Sequence, residues 1–361
     1  MQTITIKNIG HIKEVKEISL NKINVFIGLQ NSGKSTIAKI VHFCTCIEKD
    51  VATSQSLFKY RENKKYFKEC LESFYKIKGY FNPDSYIHYK SKVIEIIWKN
   101  EECSIFWVNQ HAYRRNRIVY IPSERSMVIL PKVRISEFEN TYIGSFLFDW
   151  FEARKKYSNE NRLSILGLGI DYYYIEECDE NHIKGNDNIT KYDILLSNAS
   201  SGVQSITPLV VMIEHSTKCI YNENTISFEQ KEIEEKIFVE EPEQNLSPEN
   251  QRDLVYYFLQ KCLDREENEL TLTTYSPYVL YALNNCMMAG LISNKMSKME
   301  SNKLKCIQSK IDPSLVSIYE IRDGVLEKTV QSEDGLISDN YFDQKMKELM
   351  NDFYLMLNHY E

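Results

Sequence analysis

The chain has 361 residues, 43% of them hydrophobic and 12% aromatic, which is enough to bury a sizeable core in one or two domains. Its 44 basic and 51 acidic residues leave a formal net charge of -7. That excludes a global attraction to nucleic acid and leaves only local basic patches, at Lys59, Arg61, Lys64, Lys65 and Lys68 or at His111, Arg114, Arg115 and Arg117. Nine cysteines show no paired spacing beyond Cys44 and Cys46, so no zinc site is expected and the thiols read as reduced and mostly buried.

In chain order, Thr3–Ile9 and Ile23–Ile27 read as strands, with a turn and a short second run between them. A phosphate-loop pattern follows, and then a helix from about Ser35 to Cys46. Residues 50–82 are polar and periodic, which predicts helix ended by Pro83. Val93–Trp98 and Ser104–Val108 predict a strand pair, and Ile118–Ile121 a strand running into Pro122. Phe138–Leu166 reads as helical, Tyr172–Ile175 as strand and Asp179–Asp187 as a polar turn.

Gly202 to about His215 predicts an apolar helix, and Lys236–Val239 a short buried strand ending in Glu240-Glu241-Pro242-Glu243. Ser247-Pro248 opens a helix to about Cys262. Leu270–Thr274 is a strand followed by a Pro277 loop and a helix, Val316–Ile321 and Val325–Val330 form a hairpin, and Tyr341–Tyr360 a terminal helix. Strands alternating with helices predict an α/β fold.

Four stretches carry chemistry. Gly28-Leu29-Gln30-Asn31-Ser32-Gly33-Lys34-Ser35 fits GxxxxGK[ST] between a strand and a helix. Its glycines permit backbone that side chains hinder, and the N–H groups around Asn31 and Ser32 converge on phosphate at a helix N-terminus. Lys34 supplies charge to the β- and γ-phosphates, and Ser35 a hydroxyl to Mg2+.

The strand before Glu240-Glu241 delivers carboxylates for Mg2+, at Glu240, and for polarising the attacking water, at Glu241. The two are adjacent, so the division of roles is open by one residue. Ser200-Ser201-Gly202 opens an apolar helix as an anion site or as an ordinary cap. Tyr275, after a strand, senses a γ-phosphate or merely ends that strand.

These four stretches in this order resemble the non-transporter ABC-type ATPases. The nearest are the overcoming-lysogenisation-defect-type and AAA-like ATPases of bacterial phage-defence systems. The resemblance covers most of the chain, in blocks, and includes Tyr120-Ile121-Pro122-Ser123-Glu124-Arg125 and Glu240–Pro248. It implies a P-loop NTPase with an ABC-type head and an inserted, mostly helical lobe. The expected core is 1–49 and 200–335, with inserted strands and a helical lobe over 50–199 and a terminal helix over 336–361.

It further implies that Gly28 to Thr36 is Walker A and that Ser200–Gln204 is the signature, with Ser200 and Gly202 as key contacts. Glu240 then takes the metal position and Glu241 the catalytic one. Arg125 is carried as an interface or nucleotide-linked residue. Two positions depart from the family pattern: Val203 interrupts the signature, and Tyr275 stands where the family places His. A phenol is a poor base, so Glu241 is the expected base and slow turnover the expected behaviour.

The implied partners are ATP, Mg2+, a second copy making a homodimer through composite ATP sites, higher oligomers, and a separate effector such as a nuclease or toxin. Nucleic acid is the alternative partner, in a repair or chromosome-maintenance ATPase. After Pro277 the carboxylates Glu320, Asp323, Glu327, Glu333, Asp334 and Asp339 are scattered, so no nuclease domain is expected. The N-terminus has no basic-then-apolar leader and no apolar run approaches a membrane span, which predicts a cytoplasmic protein; a transporter ATPase with a membrane-domain partner is disfavoured by the style of the motifs.

Overall fold

The computed structural model describes residues 2–63, 65–130, 135–186, 192–218, 234–262, 268–326 and 329–360. From the N-terminus come β1 (Gln2–Ile9), β2 (Ile12–Leu20), β3 (Ile23–Gly28), α1 (Lys34–Ser54), α2 (Phe58–Glu62) and α3 (Tyr66–Tyr75). Next are β4 (Phe81–Lys90), β5 (Ile94–Lys99), β6 (Glu102–Trp107), β7 (Asn116–Ile121), α4 (Tyr142–Arg154), β8 (Leu163–Ser164), β9 (Ile170–Ile175), β10 (Glu180–Gly185), β11 (Asp193–Leu195) and α5 (Ser201–Lys218). The chain continues through β12 (Glu234–Glu240), α6 (Pro248–Cys262), β13 (Glu269–Thr274), α7 (Pro277–Ile292), α8 (Lys298–Ser301), β14 (Val316–Ile321), β15 (Val325–Leu326) and α9 (Tyr341–Leu357).

A parallel sheet in the order β14-β3-β13-β12-β7 is the centre. Every residue of β3 is buried, as an interior parallel strand covered on both faces requires. A second sheet, β15-β2-β1-β4-β5-β6, is antiparallel except for the short β15–β2 pair. One continuous hydrophobic cluster runs through both sheets and the helices between them. The phosphate loop, the end of β12 and the end of β13 therefore emerge along one edge, the carboxyl ends of three adjacent parallel strands.

Several expected elements are corrected. Residues 50–82 do not form helix up to Pro83: α3 stops at Tyr75, where Lys76 takes the left-handed conformation (φ 56°). Pro83 lies in the exposed opening of β4, whose Ser85, Ile87 and Tyr89 point inward at period two. Within 138–166 only Tyr142–Arg154 is α-helix, begun by Thr141 accepting from the Gly144 N–H. The polar stretch 180–185 is strand β10, and the turn falls before it.

β15 pairs in parallel with β2, and the antiparallel bridges Arg322↔Val325 and Tyr319↔Thr329, with the Val330 N–H donating to the Ile318 carbonyl at 3.0 Å, turn this segment back along β14. Part of the expected hairpin, residues 327–328 including Glu327, lies outside the described residues, as do Lys64 and Cys219. Of the strands within 50–199, β4 pairs with β1 and β7 pairs with β12, so these join the two core sheets. Strand propensity reveals a strand but not its partner, and these partners are distant in sequence. The inserted lobe itself is built from α4 and α5 with the four-stranded sheet β11-β10-β9-β8.

Candidate functional site

Gly28 and Gly33 bracket the phosphate loop at φ 143° and 104°, both in the region that favours glycine. Space is also tight: a Cβ on Gly28 would lie 2.3 Å from the Ile321 carbonyl oxygen, and one on Gly33 2.7 Å from Ile12. Asn31 between them is left-handed too (φ 61°). Gly33 caps α1 with no side-chain bond, so the first-turn N–H groups of Lys34, Ser35 and Thr36 face the loop without a side-chain acceptor. Ser32 is buried, and its hydroxyl finds no hydrogen-bond partner. An uncapped helix start with an orphaned hydroxyl is what a triphosphate would satisfy.

Lys34 is only 2% exposed. Its Nζ donates to the Gly28 carbonyl at 2.8 Å and the Leu29 carbonyl at 2.7 Å, and stands 3.6 Å from the centre of the Tyr275 ring. Burial draws the ammonium down to about 8, against the opposing pull of Glu241 and Glu243. Tyr275 covers the lysine with its ring face, while burial and the three nearby carboxylates push its hydroxyl up to about 12. That phenol is not a base at neutral pH.

Glu240 ends β12 in a buried position. Oε1 accepts from the Tyr120 hydroxyl at 2.6 Å with Lys39 Nζ at 3.8 Å, and Oε2 accepts from the Ser123 N–H at 3.3 Å. Each oxygen keeps a lone pair, so the carboxylate can reach Mg2+ directly or through water. Glu241 departs from the strand at φ 45°, an unfavourable value for a residue with a side chain. Its N–H donates to the Thr273 carbonyl at 2.9 Å, and Gln244 Nε2 donates to its Oε2 at 2.9 Å. Glu243, beyond Pro242, accepts from the Tyr275 N–H at 2.6 Å, while its other oxygen is buried without a partner and burial raises its carboxyl.

Lys34, Tyr275, Glu240, Glu241 and Glu243 thus come together electrostatically at one sheet edge. Ser200 and Ser201 stand exposed at the N-terminus of α5. Gly202 packs on the loop after Glu241, where a Cβ would lie 2.7 Å from the Asn245 carbonyl oxygen. Gln204 donates back to the Ser197 and Ala199 carbonyls at 2.8 and 3.0 Å, bracing the approach to the helix. Arg125 is fully buried, so it is not an interface residue; its guanidinium spends its donors inside the protein.

Tyr120, Lys39, Glu243 and Gln244 complete the site and were not anticipated as partners of its carboxylates. Only the position of Lys39, one helical turn past Ser35, hinted at a role. The two basic patches are partly paired: Lys59 with Asp50, Lys68 with Glu101, and Arg114 with Glu234. No described helix is long and apolar enough to cross a membrane.

No protein-family model matches the chain, and no curated protein matches it. Among solved structures, it is similar to the SMC head domain from Thermotoga maritima at 12% identity, over 92% of this chain and 98% of that one, with a TM-score of 0.43. It is also similar to an Smc head domain with an extended coiled coil bound to the C-terminal domain of ScpA from Pyrococcus furiosus, at 12% identity, 97% and 99% coverage and a TM-score of 0.46. A dimeric ATP-binding cassette in a post-hydrolysis state bound to ADP and Pi matches at 10% identity, 90% and 97% coverage and a TM-score of 0.34. At these values the site stands on its own geometry. The phosphate loop between β3 and α1 and the parallel order β14-β3-β13-β12-β7 make the fold that of an α/β P-loop NTPase.

Proposed function

We propose that the protein is a Mg2+-dependent ATPase that works as an ATP-driven dimerisation switch. The observation that carries this reading is the joint placement of a cramped two-glycine phosphate loop with a buried Lys34 and of Glu240-Glu241 at the neighbouring strand end. Lys34 and the loop N–H groups hold the triphosphate, and Ser35 with Glu240 are the oxygen donors for the metal, which supplies charge neutralisation to the phosphoryl group. Glu241 orients and polarises the attacking water. Tyr275 is confined to covering Lys34 and donating a hydrogen bond, which favours slow turnover.

In this reading Ser200, Ser201 and Gly202 act on the nucleotide of a second copy, closing composite sites in a homodimer. The exposure of Ser200 and Ser201 at a helix N-terminus supports this. The proposed output, by resemblance to phage-defence ATPases, is control of a separate effector. Glu241→Gln is expected to lower kcat by about 10²–10⁴-fold while leaving ATP binding intact, measured by phosphate release and nucleotide titration. Unchanged turnover in that variant contradicts the assignment.

A second reading, direct work on DNA, draws support from the exposed His111, Arg114 and Arg115 before β7. It requires duplex binding that weakens steeply with salt and disappears on reversing the charges of Arg114 and Arg115.

A further inference from the structure

Arg125 sits at the meeting point of three segments that the proposed reaction uses. Nη1 donates to the Glu240 carbonyl at 2.9 Å and to the Pro122 carbonyl at 3.3 Å. Nη2 donates to the Glu241 carbonyl at 2.8 Å, to the Ser205 hydroxyl at 3.2 Å and, at the edge of reach, to the Pro242 carbonyl at 3.5 Å. Nε donates to the Ser205 carbonyl at 3.2 Å. The residue has no exposed surface. Its hydrogen-bond acceptors among the described residues are backbone carbonyls and one hydroxyl.

Burying a guanidinium on carbonyls alone is expensive, and a hydrophobic side chain would fill the same space more cheaply. What carbonyls gain from a planar five-donor group is fixed mutual geometry. Here the group fixes two things. It grips the peptide on the carboxyl side of Glu241, whose amide side is already held by Thr273. Glu241 is thereby held at φ 45°, off the backbone range its side chain prefers. It also grips Ser205, within the first two turns of α5, the helix whose N-terminus carries Ser201 and Gly202. Gly202 seats against Asn245 just downstream of Glu241, a second link between the same two segments.

We propose that Arg125 is a positioning residue that holds the Glu241 backbone in register with the first turns of α5, so that the direction of the Glu241 carboxylate and the placement of the signature are set together. This rests on the reading of Glu241 as the water-polarising carboxylate.

A double-mutant cycle of Arg125→Lys and Glu241→Gln on the full chain tests it, with kcat and KM for ATP in each variant and circular dichroism as the control for folding. Lysine keeps the charge but reaches few of these acceptors. Arg125→Lys is expected to lower kcat by at least about tenfold with KM changed less than about threefold, and to have no further effect on kcat in the Glu241→Gln background. A drop of equal size in both backgrounds, a kcat unchanged in the wild-type background, or a change confined to KM overturns the proposal. A Glu241→Gln variant with wild-type kcat overturns the underlying assignment of Glu241, and the proposal with it. Ser205→Ala, which removes one acceptor hydroxyl and leaves the guanidinium in place, gives the same cycle with a smaller expected loss of about threefold if Arg125→Lys does not fold.

Discussion

In the proposed function Lys34 is the residue on which nucleotide binding turns, and its surroundings give it a measurable signature. Desolvation by burial lowers its ammonium to about 8 in the free protein, against the opposing pull of Glu241 and Glu243. Bound phosphate favours the charged form and raises that value. ATP affinity is therefore fully present below pH 8 and is lost as pH rises from there, by up to about tenfold per unit. Titration calorimetry at pH 7, 8, 9 and 9.5 reads this directly, and a flat profile across the range contradicts a titrating Lys34. Around it, Glu243 is the residue the pattern of the chain conceals. A third carboxylate two positions past the pair looks like an ordinary acidic turn. The structure instead half-buries it and ties it to the Tyr275 N–H, coupling the strand end of β13 to the loop after β12.

Among the elements, the most legible were those whose information is local. β3, the phosphate loop and the start of α1 follow from an apolar run, two glycines and a helical period within one short stretch, and α6 announces itself with Pro248 at its first position. β4 and β10 escaped because each mixes exposed polar residues with few inward apolar ones, which at short length mimics a helix or a turn.

The supporting bonds of the site escaped for a different reason. Tyr120 and Glu240 are 120 positions apart, and Arg125 and Glu240 are 115 apart, so no spacing rule joins them. Two tests belong to this scale. Gly202→Ala places a methyl group against the Asn245 carbonyl and is expected to cost about 1–3 kcal/mol in urea denaturation. No residue of α9 is buried, and Met346, Leu349, Phe353 and Met356 are all more than half exposed. Ending the chain after Gln344 is accordingly expected to leave the thermal midpoint of the remainder within about 2 °C, because no core contact is lost. A larger fall shows that α9 is covered in solution.

In the whole molecule one sheet edge gathers the phosphate loop, the glutamate pair and Tyr275, while Ser200 and Ser201 stand exposed at the start of α5. Resemblance by motif anticipated this architecture. It did not say which strands between 50 and 199 join the core sheets, where β4 pairs with β1 and β7 with β12. Under the proposed function half of each site lies on another copy, so hydrolysis and association are one event. The most direct test is the solution mass of Glu241→Gln with and without ATP and Mg2+. The account predicts a monomer that doubles in mass when both are present and reverts when the metal is chelated. A variant that binds ATP yet keeps its monomer mass contradicts it.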